Sequence, residues 1–299
     1  MSHDHHHSGA SAHHPQHAHS HAHSHDEQDA VLSDLLDLDA EVLAEPLHGV
    51  RVDLERLIDA PVRSILDLGA GTGTGTFGLL QHFPGAQVLA VDASESMLEH
   101  LRRRAETLGL DHRVATLCVD LDDGLPELEP VDLAWASASL HHLADPDSTL
   151  AQVADAIRPG GLLAVLELAG VPRFVPDDTP GGAAEARAHA LMAADRSVDL
   201  PTMGSDWGQR LTGAGLVVEL HRAVVVDLPA PLAPVAGEYA AATLARVRSA
   251  VADRLDASDR AALDALLDGG ANDVRRRADL HITTVRRLCV ARRPAAGPH

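Results

Sequence analysis

Residues 65–73 read Ile-Leu-Asp-Leu-Gly-Ala-Gly-Thr-Gly, so that an apolar run passes directly into a glycine-rich turn. The apolar run predicts a buried strand, because it is short and is bounded by glycine. After the first strand of an open α/β sheet, such a turn lets the backbone approach a ligand beyond the carboxyl ends of the strands. The stretch therefore predicts a Rossmann-like sheet with a ligand bound at this turn.

Apolar runs and helical patterns alternate as far as residue 168, which indicates βαβ units and a parallel sheet with helices on both faces. In this part the predicted strands are residues 64–68, 87–91, 113–119, 132–136 and 161–167, and the predicted helices are 74–82, 95–108 and 147–157. Beyond it, helices are predicted at 181–195, 207–214 and in two parts of 235–268, and strands at 216–228 and 281–291. We expect a doubly wound α/β fold, with a seven-stranded, mostly parallel sheet whose last two strands form an antiparallel edge.

Composition divides the chain into three parts. Residues 1–29 form a His-rich, low-complexity tail that we expect to be disordered. Residues 30–61 predict a helical lid, which Pro46 divides into two helices or kinks. Residues 62–299 predict the α/β domain, with helical insertions at 171–210 and 231–270. The lid and the insertions either enclose an apolar small-molecule substrate or simply cover the sheet.

Charge and residue usage exclude several classes of function. The formal net charge is −20 and all 24 basic residues are Arg, which argues against nucleic acid as a partner and excludes a catalytic lysine. No apolar run is long enough to span a membrane, and the N-terminus lacks the apolar stretch of a signal peptide. Cys118 and Cys289 lie in apolar segments and predict buried thiols in a reducing compartment, so we expect a cytoplasmic protein.

The glycine-rich turn carries two overlapping patterns. Residues 73–78 read Gly-Thr-Gly-Thr-Phe-Gly and match the dinucleotide pattern G-x-G-x-x-G, which leaves an NAD-dependent oxidoreductase as an alternative. Asp67 favours the other pattern, because a carboxylate before the turn repels a pyrophosphate and attracts a cationic amino-acid group. Asp92 ends the next predicted strand and can bind the ribose hydroxyls of either cofactor.

Five motifs follow one another along residues 62–168. They are Asp67-x-Gly69-x-Gly71-x-Gly73, Asp92-Ala93-Ser94-x-x-Met97-Leu98, Asp120-Leu121, Ser139-Leu140-His141-His142-Leu143 and Arg158-Pro159-Gly160-Gly161. In order and spacing they resemble the class I S-adenosylmethionine-dependent methyltransferases, nearest to the small-molecule enzymes related to ubiquinone and menaquinone methyltransferases. The resemblance implies S-adenosyl-L-methionine as cofactor and methyl transfer to an O, N or C atom of a small-molecule acceptor.

The resemblance also implies a role for each motif. The cofactor-binding residues would be Asp67, Gly69, Ala70, Gly71, Gly73, Asp92, Ala93, Met97, Asp120, Leu121, Ala136 and Ser137. Among them the glycine-rich backbone would face the methionine part, with Asp67 near its ammonium group. Asp92 would hold the ribose, Met97 would line the adenine pocket, and Asp120 would accept from the adenine amine. Ala136 and Ser137 would border the transferring methyl group, and residues 158–161 would form a structural turn after a helix.

Two adjacent histidines are the candidate catalytic residues. His141 and His142 follow the fourth predicted strand, where the acceptor should approach the methyl group, and either could serve as a general base. The alternative is that both belong to the packing of the loop. His189 and Tyr239 are further candidates, and a base is needed only if the acceptor must lose a proton. Nothing in the sequence identifies the acceptor or the oligomeric state.

The N-terminal tail predicts a different activity. Histidines occupy alternate positions at His17, His19, His21, His23 and His25. Clustered imidazoles bind divalent metals such as zinc, nickel and copper. The tail has no fixed geometry, so we expect non-catalytic binding and no metal in the folded domain. A metal-handling protein built on the same fold is therefore a third hypothesis.

Overall fold

The computed structural model describes residues 31–200 and 202–295. A seven-stranded sheet with the strand order β3-β2-β1-β4-β5-β7-β6 lies at its centre. The strands are β1 (Ser64–Leu68), β2 (Gln87–Asp92), β3 (Val114–Cys118), β4 (Val131–Ser137), β5 (Ile157–Leu168), β6 (Val217–Leu228) and β7 (Ile282–Arg292). The first five strands pair in parallel, and β7 pairs antiparallel with both β5 and β6. The predicted fold class is confirmed.

The helices agree with the sequence pattern to within a few residues. They are α1 (residues 31–42), α2 (Ala44–Leu57), α3 (Thr74–His82), α4 (Glu95–Thr107), α5 (Pro146–Ala156), α6 (Pro180–Asp199), α7 (Trp207–Gly213), α8 (Pro234–Ala250) and α9 (Ala257–Ala265). The break between the first two helices falls at Leu43 rather than at Pro46. Pro46 lies in the first turn of α2, where the missing N–H has no helical partner to lose.

Residues 158–161 depart from the prediction of a helix-ending turn. They belong to β5, which begins at Ile157 directly after α5. The pairing with β4 shifts its register between Val131 and Leu133, and Gly160 adopts a φ of 84°. This run is therefore the irregular beginning of a strand, and its hydrogen bonds go to Arg293 beyond β7.

Three groups of buried side chains hold the elements together. On one face of the sheet Phe77 of α3 packs with Trp135 of β4, and on the other face Leu150 of α5 packs with Trp207 of α7. The third group, which we call the lid core, joins α1, α6, α8 and α9 around Phe174 and Tyr239. The rings of that pair meet edge to face with centroids 5.6 Å apart.

The two cysteines differ in exposure. Cys289 in β7 is buried as predicted, but Cys118 is exposed, so that part of the prediction is wrong. The reason is the position of β3, which is an edge strand of the sheet and has no fully buried residue. Among the described residues, none of the helices has the length and apolar character needed to cross a membrane.

Candidate active site

The glycine-rich turn after β1 has a conformation that only glycine adopts easily. Gly69, Gly71 and Gly73 have φ values of 64°, 52° and 85°. A Cβ atom on Gly69 would lie 2.4 Å from the Cβ of Ser139, so the missing side chain also lets the loop after β4 approach closely. The Ala70 amide donates to the carbonyl of Val91, which ties the turn to β2.

The second glycine pattern lies in a helix. Gly75 and Gly78 belong to α3 rather than to the turn. A Cβ atom on Gly75 would come within 2.6 Å of Trp135 Nε1, and one on Gly78 within 3.1 Å of Arg51. These glycines allow α3 to pack closely against its neighbours, which disfavours the dinucleotide alternative.

Asp67 lies buried beneath the turn, with 2% of its surface exposed. Its Oδ2 accepts a hydrogen bond of 2.6 Å from Thr76 Oγ1. Burial, with a contribution from the charge of Asp92, raises the pKa of Asp67 to about 7. The buried Nε1 of Trp135 borders the same space and has no hydrogen-bond partner in the described part of the chain.

Asp92 joins the turn to the start of α4. Its Oδ2 accepts from the Gly71 amide at 2.8 Å, and its Oδ1 accepts from the Ser94 amide at 2.9 Å. Ser94 in turn caps α4 by accepting from the Met97 amide, and the Met97 side chain is buried. A carboxylate has about four acceptor sites, so Asp92 retains capacity for two further donors.

The third acid of the motif series follows β3. Asp120 is exposed, and its Oδ1 accepts from the Asp122 amide at 3.0 Å. Leu121 beside it is buried. Since β3, β2 and β1 are neighbours and run in parallel, Asp67, Asp92 and Asp120 come to the same edge of the sheet.

The turn after β4 is strained at the same edge. Ala136 and Ser137 end the strand, and Ala138 follows with a φ of 53°. Ala138 is the one non-glycine residue with positive φ within residues 31–200 and 202–295. Such strain persists only where the surrounding structure fixes it, and it is frequent at active sites. Here Ser139 Oγ donates to the carbonyl of Leu68 at 2.8 Å.

A second buried carboxylate, not predicted from the sequence, holds this turn. Glu167, near the end of β5, is 2% exposed. It accepts hydrogen bonds from the amides of Ser139 and Leu140 and lies 2.6 Å from His141 Nδ1. One carboxylate therefore fixes three consecutive residues. The signal available in the sequence was an acid at the end of an otherwise apolar predicted strand.

The structure separates the two candidate histidines. His141 is 3% exposed, with Glu167 at its ring and Thr202 Oγ1 donating to its carbonyl, whereas His142 is exposed. The two rings lie 4.1 Å apart at their centroids. Desolvation and the neighbouring His141 lower the pKa of His142. His142 is therefore neutral near pH 7 and open to solvent, whereas His141 is buried.

The other candidate bases lie in the two helical insertions. Tyr239 is buried and donates to Asp39 Oδ1, and burial together with that carboxylate raises the pKa of Tyr239 well above its usual range. A phenol in this state does not accept a proton at neutral pH, so Tyr239 is removed from the candidates. His189 lies half-buried on α6.

Helix α1 covers the glycine-rich turn. A Cβ atom on Gly71 would lie 3.4 Å from Cδ1 of Leu36, and Ser33 Oγ donates to the sulfur of Met97. Asp37 contacts Arg104 at 2.5 Å, and Arg104 also donates to the carbonyl of Thr72. The predicted lid helix therefore contacts both the turn and α4.

The described residues contain no group of three or more His, Cys, Asp and Glu side chains able to hold a metal ion. The histidines proposed for metal binding, His17, His19, His21, His23 and His25, lie outside the described residues.

Residues 66–163 match the model of a family described as a methyltransferase domain. This part of the chain is a methyltransferase domain. The methyltransferase assignment made from the motifs is thereby confirmed for this part of the chain.

Curated relatives are similar to part of this chain. Trans-aconitate 2-methyltransferase of Acidovorax sp. strain JS42 is 37% identical over 112 residues, which are 38% of this chain and 41% of the relative. The enzyme of the same name from Azoarcus sp. strain BH72 is 33% identical over 56% of each chain. Malonyl-acyl-carrier-protein O-methyltransferase of Laribacter hongkongensis is 36% identical over 38% of this chain and 39% of its own. The chain thus spans about two-fifths to just over half the length of these relatives.

Solved structures extend the likeness of the fold beyond the domain. The cyclase SpnF is 23% identical with a TM-score of 0.51, over 84% of this chain and 81% of its own. A protein from Bacillus halodurans C-125, provisionally named a methyltransferase, is 16% identical with a TM-score of 0.52, over 82% of this chain and 99% of its own. At these identities the likeness establishes the shared fold alone.

Proposed function

We propose that the whole chain transfers the methyl group of S-adenosylmethionine to a small-molecule acceptor. The observation that carries the proposal is the meeting of two rigid turns at one edge of the sheet, within a methyltransferase domain. One is the glycine-rich turn, and the other is the strained turn at Ala138, in contact through Gly69 and Ser139. Rigid backbone on both sides of a site can hold two reactants in the geometry that the reaction needs, and such positioning can contribute most of the rate enhancement.

The side chains at this edge fit the parts of the cofactor. The ammonium group of the methionine part would lie near Asp67, whose ionised form it would favour. The ribose hydroxyls would use the remaining acceptor sites of Asp92. The adenine would lie against Met97, with its amine toward Asp120 and its ring beside Leu121. When bound, the cofactor supplies a sulfonium methyl group already activated for displacement, and Ala136 and Ser137 would border it.

The acceptor side is assigned to the lid. We propose that residues 30–61 and the insertions 171–210 and 231–270 enclose the acceptor and that residues 62–299 form the catalytic domain. His142, exposed and neutral near pH 7, is the residue able to take a proton from an acceptor that must lose one. His141 and Glu167 would position the turn that carries it.

The class of partner follows from charge and from the relatives. A net charge of −20 opposes binding to nucleic acid, which supports a small molecule. Two of the relatives cited are named for trans-aconitate, which makes this tricarboxylate the first acceptor to assay. We also propose that the protein is cytoplasmic and that its His-rich tail binds divalent metal ions.

Calorimetry followed by a transfer assay tests the proposal. S-Adenosylhomocysteine should bind with measurable heat, and NAD should not. Methyl-labelled S-adenosylmethionine should then transfer its label to a member of a panel of small carboxylates, phenols and amines. Binding of NAD without S-adenosylhomocysteine would overturn the cofactor assignment. Binding of S-adenosylhomocysteine with no transfer to any class on the panel would count against methyl transfer.

A further inference from the structure

A buried arginine stands at the edge of the sheet that carries the proposed active site. Arg286 lies in β7, opposite Leu168, the last residue of β5, and opposite Val224 of β6. Its side chain is 7% exposed. Since Glu167 immediately precedes Leu168, Arg286 lies beside the same end of β5 as the carboxylate that holds the strained turn, but on the opposite face of the sheet. None of the motifs uses Arg286.

The counter-ion of Arg286 comes from the lid. Asp39 of α1 accepts from Arg286 Nη2 with both oxygens, at 2.8 Å and 2.6 Å, and Tyr239 donates to Asp39 Oδ1 at 2.7 Å. The pair is unequally buried, because the Asp39 side chain is 22% exposed. An anion arriving from solvent therefore meets the Asp39 side of the pair first.

The guanidinium group of Arg286 uses only part of its capacity to donate hydrogen bonds. Its buried Nε has no hydrogen-bond partner within residues 31–200 and 202–295. Other arginines of the chain engage a carboxylate with both Nε and Nη2, as Arg277 does with Asp279 and Arg292 does with Glu219. A planar guanidinium fork suits this two-point geometry best. Asp39, which approaches from α1, contacts only Nη2 and therefore makes only half of the two-point contact.

We propose that Arg286 is the subsite for a carboxylate group of the acceptor and that Asp39 occupies this subsite until the acceptor arrives. A buried guanidinium group requires an anion, so exchange of one carboxylate for another keeps the charge paired throughout. A free carboxylate, unconstrained by α1, can take both Nε and Nη2. This inference rests on the proposed function for the identity of the ligand as an acceptor.

The exchange has a consequence for the lid. Asp39 lies two residues from Asp37 and three from Leu36, which contact Arg104 and approach Gly71. Displacement of Asp39 would release the end of α1 that is joined to Arg286 and Tyr239. The carboxylate of the acceptor would thus loosen the helix that covers the cofactor turn.

Two variants of the same helix provide the test. The probe is trans-aconitate, titrated by calorimetry with and without saturating S-adenosylhomocysteine, and its uncharged trimethyl ester is the ligand control. Asp39→Asn should strengthen binding of trans-aconitate by about tenfold, because a neutral amide competes less well than a carboxylate for the guanidinium group. Asp37→Asn makes the same charge change two residues away, on Arg104 instead of Arg286, and should leave the affinity of the probe within about twofold of wild type.

Variants of the arginine complete the design. Arg286→Lys keeps the buried charge but lacks the two-point fork, and should weaken binding of trans-aconitate about tenfold with S-adenosylhomocysteine affinity unchanged. Equal gains in Asp37→Asn and Asp39→Asn would mean that a loosened helix, and no anion subsite, is the cause. Trans-aconitate binding that is the same in wild type, Asp39→Asn and Arg286→Lys would also overturn the subsite. If the wild-type protein does not bind S-adenosylhomocysteine, the proposed function is refuted. The titration of trans-aconitate without S-adenosylhomocysteine still tests the subsite in that case.

Discussion

Glu167 Oε2 lies 2.6 Å from His141 Nδ1, and both side chains are almost completely buried. The pair joins the carboxyl ends of β4 and β5 below the strained Ala138 turn. A buried carboxylate is stable only when its lone pairs are satisfied, and here two backbone amides and the imidazole ring satisfy them. The contacts of His141 therefore serve to fix the shape of this turn.

The first prediction concerns this carboxylate. Glu167→Gln replaces one acceptor oxygen by an amide donor that faces other donors. The free energy of unfolding should fall by at least about 1.5–3 kcal/mol, the contribution of one hydrogen bond to a charged group. Urea denaturation measures it. Glu127→Gln, the same change at an exposed position, should have little effect, and an equal loss in both variants would contradict the role of Glu167.

A second prediction separates the two histidines. With an acceptor that must lose a proton, such as a phenol, His142→Gln should lower kcat by about 10²-fold or more and leave S-adenosylhomocysteine affinity unchanged, as for the loss of a general base. His112→Gln, on an exposed residue, is the control. Because the pKa of His142 is lowered, wild-type activity should decline only below the pH range in which an ordinary imidazole titrates, and the variant should lose this dependence. If the activity of His142→Gln still declines at low pH as it does in wild type, another residue is the base.

The third prediction concerns Asp92, which serves the turn as well as the ribose. Asp92→Ala should weaken S-adenosylhomocysteine binding by about 1.5–3 kcal/mol for a lost ribose contact. A further loss comes from freeing the Gly71 amide, which donates a hydrogen bond to Asp92 Oδ2. An analogue of S-adenosylhomocysteine without the ribose hydroxyls isolates that part. If the substitution weakens both ligands equally, Asp92 does not contact the ribose.

The sequence predicted the features that depend on local pattern. β1 and α3 have the predicted bounds, because a short apolar run and a glycine-flanked helix are decided by neighbouring residues. The order of the acids Asp67, Asp92 and Asp120 likewise placed them at one edge, since parallel strands end together. The exposure of Cys118 was missed because it depends on β3 being the outermost strand.

The features that were missed join distant parts of the chain. Glu167 and His141 are 26 residues apart, Asp37 and Arg104 are 67 apart, and Asp39 and Arg286 are 247 apart. A single sequence gives no signal that pairs such residues. Each acid could equally have been a solvated charge, and only the fold shows that it contacts a partner far away in the sequence.

The last prediction follows from the raised pKa of Asp67. In the folded protein this carboxyl titrates near pH 7, whereas an unperturbed carboxyl titrates near about 4. The folded state therefore holds the extra proton between these values, and a cationic ligand that prefers the ionised form must expel it. Affinity for S-adenosylhomocysteine should rise with pH up to about 7, by as much as about tenfold per pH unit, and then level off.

Asp67→Asn should bind S-adenosylhomocysteine with the same affinity at every pH in this range, because the amide does not titrate. The matched ligand is 5′-methylthioadenosine, which keeps the nucleoside and lacks the amino-acid end. Its affinity for the wild-type protein should be flat over the same range, since no ammonium group reaches Asp67. A rise for both ligands, or for neither, would mean that the ammonium group binds elsewhere and that the buried carboxyl serves Thr76 and the turn alone.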